Sequence, residues 1–319
     1  MKQTLINALL LTEEMKPTIG GQAVLEGVMM RSSNYYATAV RNEKGKIVTE
    51  LHPIRKKPKW TQIPFFRGIF NLFEMLIIGI KSLTWSADQL ADDPAEKMTS
   101  WQLALTLIVS IGFSLLLFLA LPYGLTSIFG ISEEGQPILF NVIDGIIKIL
   151  ILIGYIAAIS LMADIRRLFQ YHGAEHKAVH CFENKLALIP KNAQKFSRLH
   201  PRCGTSFLFL VMFISVFVFA FIPLIAQAAI PSFEALSFWA RKSILFVIRL
   251  LLVPLVAGIS YEFLRLTARN EKSRMLRIFA WPGLMLQHIT TKEPDLKQLE
   301  VALCSMKLVL DKDRIEYRR

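Results

Sequence analysis

"LFNVIDGIIKILILIGYIAAISLM" covers residues 139–162, and Asp144 and Lys148 are the charged side chains within it. A helix needs about 20 apolar residues to cross the hydrocarbon core of a bilayer, so this run is long enough to span one. Further apolar runs lie on either side of it, at residues 101–129, 205–230 and 244–261. The pattern therefore predicts a mainly α, polytopic membrane protein with four transmembrane helices.

The composition supports this fold class. The chain has 319 residues, of which 53% are hydrophobic and 19% charged, and its mean hydropathy is +0.42. These values are too apolar for an ordinary soluble domain of this length. The net charge is nevertheless +12, concentrated between the apolar runs. No RNA-binding or zinc-finger motif accompanies these cations, so basic membrane-proximal surfaces are favoured and no nucleic-acid partner is expected.

The distribution of lysine and arginine predicts the orientation of the chain. The loop of residues 130–138 contains neither, whereas the loop of residues 163–204 and the tail after Tyr261 are rich in both. Basic loops remain on the cytoplasmic side of a cell membrane. We therefore expect a multi-pass protein with cytoplasmic N- and C-termini, in which Cys181, Cys203 and Cys304 are reduced thiols.

A fifth apolar segment, residues 63–85, is ambiguous. Arg67, Glu74 and Lys81 recur every seven residues and therefore share one side of a helix. A charge at mid-bilayer costs about 2.5–3.5 kcal/mol, so an interfacial or re-entrant helix is favoured over a full span. A full span would also place the basic residues 1–62 outside the cell.

The region before this helix predicts a small cytoplasmic β element. Residues 36–41 and 46–51 are short strands around an "NEKG" turn, with Gly45 at the position that tolerates positive φ. Four regions result. They are a cytoplasmic N-terminal region with the hairpin (1–62), the interfacial or re-entrant helix and its linker (63–100), a four-helix transmembrane domain containing the cytoplasmic loop 163–204 (101–262), and a cytoplasmic C-terminal region (263–319).

Residues 171–180, "YHGAEHKAVH", place three histidines at steps of four. We expect the second span to continue as a helix through this stretch, with the histidines on one face. His172 and His176 are then about 6 Å apart along the axis, the spacing of two-histidine zinc helices. With Glu175 they match the pattern H-x-x-E-H of inverted zinc metalloproteases. His180 lies one turn further and would serve a second ion or a supporting, proton-transfer role.

A second motif, "HPRCGTSF" at residues 200–207, precedes the third span. His200 and Cys203 have the H-x-x-C spacing of metal ligands. Because the loop 163–204 begins and ends at one membrane face, they should return to the depth of the first two histidines. The plainer alternative is a solvated helix end beside a buried cysteine.

Four motifs together resemble the bacterial YqhQ-like family, over residues 17–310. They are "GGQAVLEGVMMR" (20–31), "YHGAEHKAVHCFE" (171–183), "HPRCGTSF" (200–207) and "PGLMLQHITTKEP" (282–294). This class of unknown function is described as predicted metal-dependent integral membrane enzymes, so the resemblance implies such an enzyme. The polar residues that match the family motifs are Gln22, Glu26, Arg31, His172, Glu175, His176, Lys177, His200, Arg202, Cys203, Gln287, Thr290, Thr291 and Glu293.

The sequence thus predicts a metal-dependent hydrolase at the cytoplasmic membrane face, with a divalent metal, most simply zinc, and Glu175 as general base. Lys177 and Arg202 would steady an anionic group of a membrane-associated substrate. The expected ligands come from His172, His176, His180, His200, Cys203 and Glu26. The alternative is a non-enzymatic metal-binding scaffold, sensor or transport component. Membrane lipids are expected partners, and the sequence is compatible with a homo-oligomer.

Overall fold

A computed structural model describes residues 19–55, 57–58, 61, 63–64, 66–91, 99–133, 135–269 and 274–318. Within these residues four strands precede eleven α-helices. The strands are β1 (Gly20–Val24), β2 (Gly27–Arg31), β3 (Tyr35–Arg41) and β4 (Ile47–Pro53). The helices are α1 (Phe66–Leu90), α2 (Ser100–Leu115), α3 (Leu121–Ile128), α4 (Pro137–Ile159), α5 (Ala163–Glu183), α6 (Pro190–Ala193), α7 (Gly204–Ala220), α8 (Ile222–Ala229), α9 (Phe238–Arg269), α10 (Arg274–Thr290) and α11 (Leu296–Asp313). A π-helical turn, Leu116–Ala120, joins α2 to α3.

The strands form one antiparallel sheet in the order β1-β2-β3-β4. The β3–β4 hairpin confirms the predicted β element, and Gly45 has the expected positive φ of 75°. Strands β1 and β2 were not predicted. Their connecting turn contains Glu26 at φ 50° rather than the glycine or asparagine that usually marks such a turn.

Side chains alternate between the two faces of the sheet along each strand, and both faces are covered by helices. Val28 and Met30 of β2 lie in the core shared with α5 and α11, whereas Met29 lies in a second core beneath α1. The sheet is therefore held between the histidine-bearing helix α5 and α1. This position brings β1 close to the predicted site.

Five described helical segments are long and apolar enough to cross a membrane: Phe66–Leu90, Ser100–Ile128, Pro137–Ile159, Gly204–Ala229 and Phe238–Thr267. Four of them coincide with the predicted spans, as a membrane protein requires. The fifth is α1, whose interfacial or re-entrant placement stays a prediction. Its Gly79 packs on Gln22 of the sheet and its Gly68 on Tyr261 of α9.

The helices depart from the predicted boundaries in three places. The second span was expected to continue into the histidine stretch, but α4 ends at Ile159 and α5 begins at Ala163 after an extended Met162. This break allows α5 to pack against β1 and α11 instead of following α4. The third span is interrupted at Phe221, and the new helix α8 begins at Ile222 with Pro223 in its first turn. The fourth is longer than predicted and contains Pro254.

Candidate metal centre

A glycine determines how closely α5 meets the segment after α10. A Cβ on Gly173 would lie 2.2 Å from the carbonyl oxygen of Lys292, so any other residue would force the two backbones apart. Where α5 crosses this segment, the Lys292 N–H also donates a hydrogen bond of 2.8 Å to the Phe169 carbonyl. The crossing brings the end of α10, including Thr290, against His172.

The structure brings together three of the predicted ligands: His172, His176 and Cys203. One ligand atom from each lies within 4.8 Å of the others. His172 Nε2 is 3.2 Å from Cys203 Sγ, and the two histidine rings are 4.5 Å apart between centroids. Zinc–ligand bonds of about 2.0–2.3 Å in a tetrahedron separate the ligand atoms by roughly 3.5 Å. Small side-chain adjustments would therefore suffice to hold one ion.

Both histidines are oriented by backbone carbonyls. The Nδ1 atom of His172 lies 2.8 Å from the Thr290 oxygen, and that of His176 lies 2.5 Å from the Arg198 oxygen. A ring nitrogen that faces a carbonyl carries the proton, which leaves the Nε2 lone pair of a neutral ring available to a metal. Burial lowers the pKa of His176 and so favours this neutral form.

Glu175 lies beside this group without being part of it. Its carboxylate is buried, and Oε2 is 3.5 Å from His176 Nε2. The backbone N–H of Gly21 in β1 donates a hydrogen bond to it. Burial raises the pKa of Glu175, and the nearby Arg202 guanidinium partly opposes that rise. A buried carboxylate next to potential ligands can accept a proton from water at the open position of a metal.

His180, Glu183 and His200 form a second group of ligand atoms within 4.8 Å of one another. The Nδ1 atom of His200 accepts a hydrogen bond of 3.2 Å from the Arg202 backbone N–H. Its Nε2 therefore carries the proton and faces Glu183 Oε2 at 3.4 Å. Glu183 also pairs with the Arg202 guanidinium. Glu183, His200 and Arg202 are thus joined by hydrogen bonds beside the candidate metal ligands. His180 Nε2 instead lies 2.9 Å from the Leu199 carbonyl, and burial lowers the pKa of His180.

The remaining predicted site residues are engaged elsewhere. Glu26 belongs to neither group, because the β1–β2 turn directs its carboxylate to Arg167 Nη2 at 2.6 Å and to the Tyr171 hydroxyl at 3.2 Å. Its predicted role as a ligand is not met in this geometry. Lys177 is buried, donates to the Gln194 carbonyl at 2.9 Å and pairs with Glu293. Lys177 and Arg202 therefore already have carboxylate partners.

The sequence did not indicate the groups that orient the ligands. Gln287 binds the backbone of His200 twice, accepting from its N–H at 2.8 Å and donating to its carbonyl at 2.9 Å. Gln287 and Thr290 were identified only as matches to the family motifs, without a specific role. The carbonyls of Arg198 and Thr290 and the N–H of Gly21 are backbone atoms, which leave no signal in a side-chain pattern.

Glu26→Gln is expected to leave the metal content of the purified protein unchanged, because the carboxylate lies with Arg167 and Tyr171. Elemental analysis of this variant beside the wild type measures the effect. A loss of metal in Glu26→Gln, with the protein still folded, would return Glu26 to the ligand set.

Comparison with known proteins agrees with the motifs. The family model "Protein of unknown function (DUF1385)" matches residues 63–312. The chain is 36% identical over 312 residues to "Uncharacterized protein YqhQ" of Bacillus subtilis (strain 168), and the alignment covers 92% of each chain. No solved structure gives a significant match. The chain therefore belongs to the DUF1385 family, with a relative in the YqhQ-like group that its motifs resemble.

Proposed function

We propose that this protein is a zinc-dependent hydrolase whose centre lies at the cytoplasmic membrane face. The observation that carries the proposal is the convergence of His172, His176 and Cys203, with both histidine Nδ1 atoms already given to backbone carbonyls. Glu175 beside them supplies the general base. Three protein ligands with one open position are typical of catalytic rather than structural zinc.

Zinc bound there would supply a Lewis acid that makes a neighbouring water acidic near neutral pH. Glu175 would accept the proton from that water and deliver it to the leaving group. The Gly21 N–H holds the carboxylate in place, and the carbonyls of Thr290 and Arg198 keep the imidazoles from turning. Arg202, paired with Glu183, is a cationic group beside the centre that could contact an anionic part of the substrate.

Metal analysis together with activity tests the proposal. Wild-type protein in lipid nanodiscs is expected to contain about one zinc per chain and to hydrolyse at least one member of a panel of membrane-anchored peptides and lipid esters. The double variant His172→Ala/His176→Ala should lose both zinc and hydrolysis. His52→Ala is the matched control, since His52 is an exposed residue of β4. Equal zinc in all three proteins would contradict the assigned ligands.

A non-enzymatic role is the second candidate, and one observation favours it. Glu133, in the loop between α3 and α4, and Arg249 of the candidate span α9 are both buried, and Arg249 Nη2 donates to Glu133 at 2.5 Å and to Asn141 Oδ1 at 3.1 Å. Ionisable groups at such positions often belong to transport pathways. Under this alternative the protein binds zinc but hydrolyses no substrate of the panel. Glu133→Gln then impairs the activity of the protein in the cell as much as His172→Ala/His176→Ala does.

A further inference from the structure

Helix α10 has two opposite faces of different character. Gly283, Leu286, Gln287 and Thr290 are buried along one side. The other side exposes Ile278, Trp281 and Met285, of which Trp281 is 60% exposed. At about 100° per residue the centres of these two sets lie roughly 160° apart. We define the exposed set as the α10 stripe.

The contacts on the buried side of α10 show where this helix lies along the length of the candidate spans. A Cβ on Gly283 would lie within 2.4 Å of Ser206 Oγ, so the two helices touch at the first turn of α7. Gln287 Nε2 is 3.4 Å from the same hydroxyl. Since α7 begins one of the candidate spans, α10 would lie at the boundary where that span enters a bilayer. Helix α10 also packs against α4 and α9, which belong to two further candidate spans.

The stripe therefore points outward from the edge of the apolar bundle. Indole rings are favoured at the membrane interface, because their body is apolar and their N–H needs a polar partner. The amphipathic pattern with a tryptophan at its centre is typical of a helix that lies in the plane of the interface. The predicted assignment of residues 263–319 to the cytoplasm does not account for these exposed side chains.

We propose that α10 is embedded in the lipid leaflet at the end of the bundle that carries the candidate metal centre, with Ile278, Trp281 and Met285 in contact with acyl chains. The occupant of the stripe is thus the bilayer rather than a second copy of the chain or a soluble protein. The same helix supports the centre, because its Thr290 carbonyl accepts from His172 and its Gln287 holds His200.

This position narrows the substrate class. Cys203 immediately precedes α7. With α10 placed in this way, Cys203 and the end of α10 both lie at the lipid boundary. A bond cleaved at the centre would then lie near the headgroups, in a substrate held in the same leaflet. That consequence rests on the proposed hydrolase, whereas the placement of α10 does not.

Tryptophan fluorescence tests the placement without metal or substrate. The chain has five tryptophans, and three single-tryptophan variants with the other four changed to Phe retain Trp281, Trp101 or Trp85. Each is reconstituted in phosphatidylcholine–phosphatidylglycerol nanodiscs with brominated acyl chains. Trp101 is 71% exposed at the start of a candidate span and controls for lipid contact. Trp85 packs against the core beneath the sheet and controls for shielding by protein.

Bromine should quench Trp281 to an extent comparable with Trp101, while aqueous iodide quenches neither and Trp85 resists both. Quenching of Trp281 by iodide, or protection from both agents as for Trp85, would overturn the placement. If bromine failed to quench Trp101 as well, the predicted spans would fall together with it. Should the multiple replacements prevent folding, a nitroxide on Ile278→Cys reports the same depth, once the signal of the equally labelled protein without this substitution is subtracted. Broadening of its signal by lipid-soluble oxygen supports the proposal, and broadening by an aqueous nickel complex contradicts it.

Discussion

Glu175→Gln is expected to bind as much zinc as the wild type and to hydrolyse substrate about 10²–10⁴-fold more slowly, the usual contribution of a general base. Glutamine keeps the shape of the side chain and can still accept the hydrogen bond from Gly21, but it cannot take a proton from water. The ligand atoms of His172, His176 and Cys203 are unchanged. Binding and turnover should therefore separate in this variant.

Elemental analysis and initial rates on any substrate found with the wild type provide the measurement. Glu300→Gln is a suitable control, because Glu300 is exposed on α11 and pairs with Arg41. Equal rates in Glu175→Gln and the wild type would remove the general-base role. If zinc were lost together with activity, Glu175 would be a ligand instead.

Gly173→Ala should destabilise the protein and weaken metal binding, although alanine favours a helix by about 1 kcal/mol relative to glycine. The new Cβ would meet a backbone oxygen, that of Lys292, at 2.2 Å. Separating the two segments costs about 1–3 kcal/mol of overpacking strain. It also loses the Lys292–Phe169 hydrogen bond, worth about 1 kcal/mol. The clash outweighs the helix preference, and a net loss of about 1–3 kcal/mol remains.

The displaced segment contains the carbonyl that orients His172, so zinc affinity should fall by about 10–100-fold. Thermal unfolding and a zinc titration measure the two effects. Gly154→Ala is the matched control, because Gly154 is also helical but a Cβ there has no neighbour within 4 Å. A Gly173→Ala protein as stable as Gly154→Ala would show that the crossing tolerates a side chain.

The candidate spans could be predicted because a run of about 20 apolar residues is typical of a helix that crosses a membrane and of few other structures. The β3–β4 hairpin could be predicted because Gly45 marks its turn. Strands β1 and β2 could not, since both faces of the sheet are buried and no alternation of polar residues remains to reveal them. The break between α4 and α5 was missed for a related reason: no proline or glycine occurs at Ser160–Met162.

The candidate site divides in the same way. Spacing on one helix, together with a loop that returns to its starting face, was enough to associate His172 and His176 with Cys203. The spacing could not show that Cys203 joins the candidate ligands while His200 pairs with Glu183. That difference depends on which ring nitrogen of His200 accepts from the Arg202 N–H. Nor could the spacing exclude Glu26, whose direction is set by the backbone of a turn with positive φ.

The ligands lie far apart along the chain, and this separation bears on the order of assembly. His172 and Cys203 are 31 residues apart, so an ion held by both would close a loop in the way a cross-link does, with a stabilisation of about 3–4 kcal/mol in the chain-entropy model. Cys203 immediately precedes α7. Such an ion could be captured only after the ribosome has delivered Cys203, so metallation would have to follow synthesis of the first two predicted spans, residues 101–129 and 139–162.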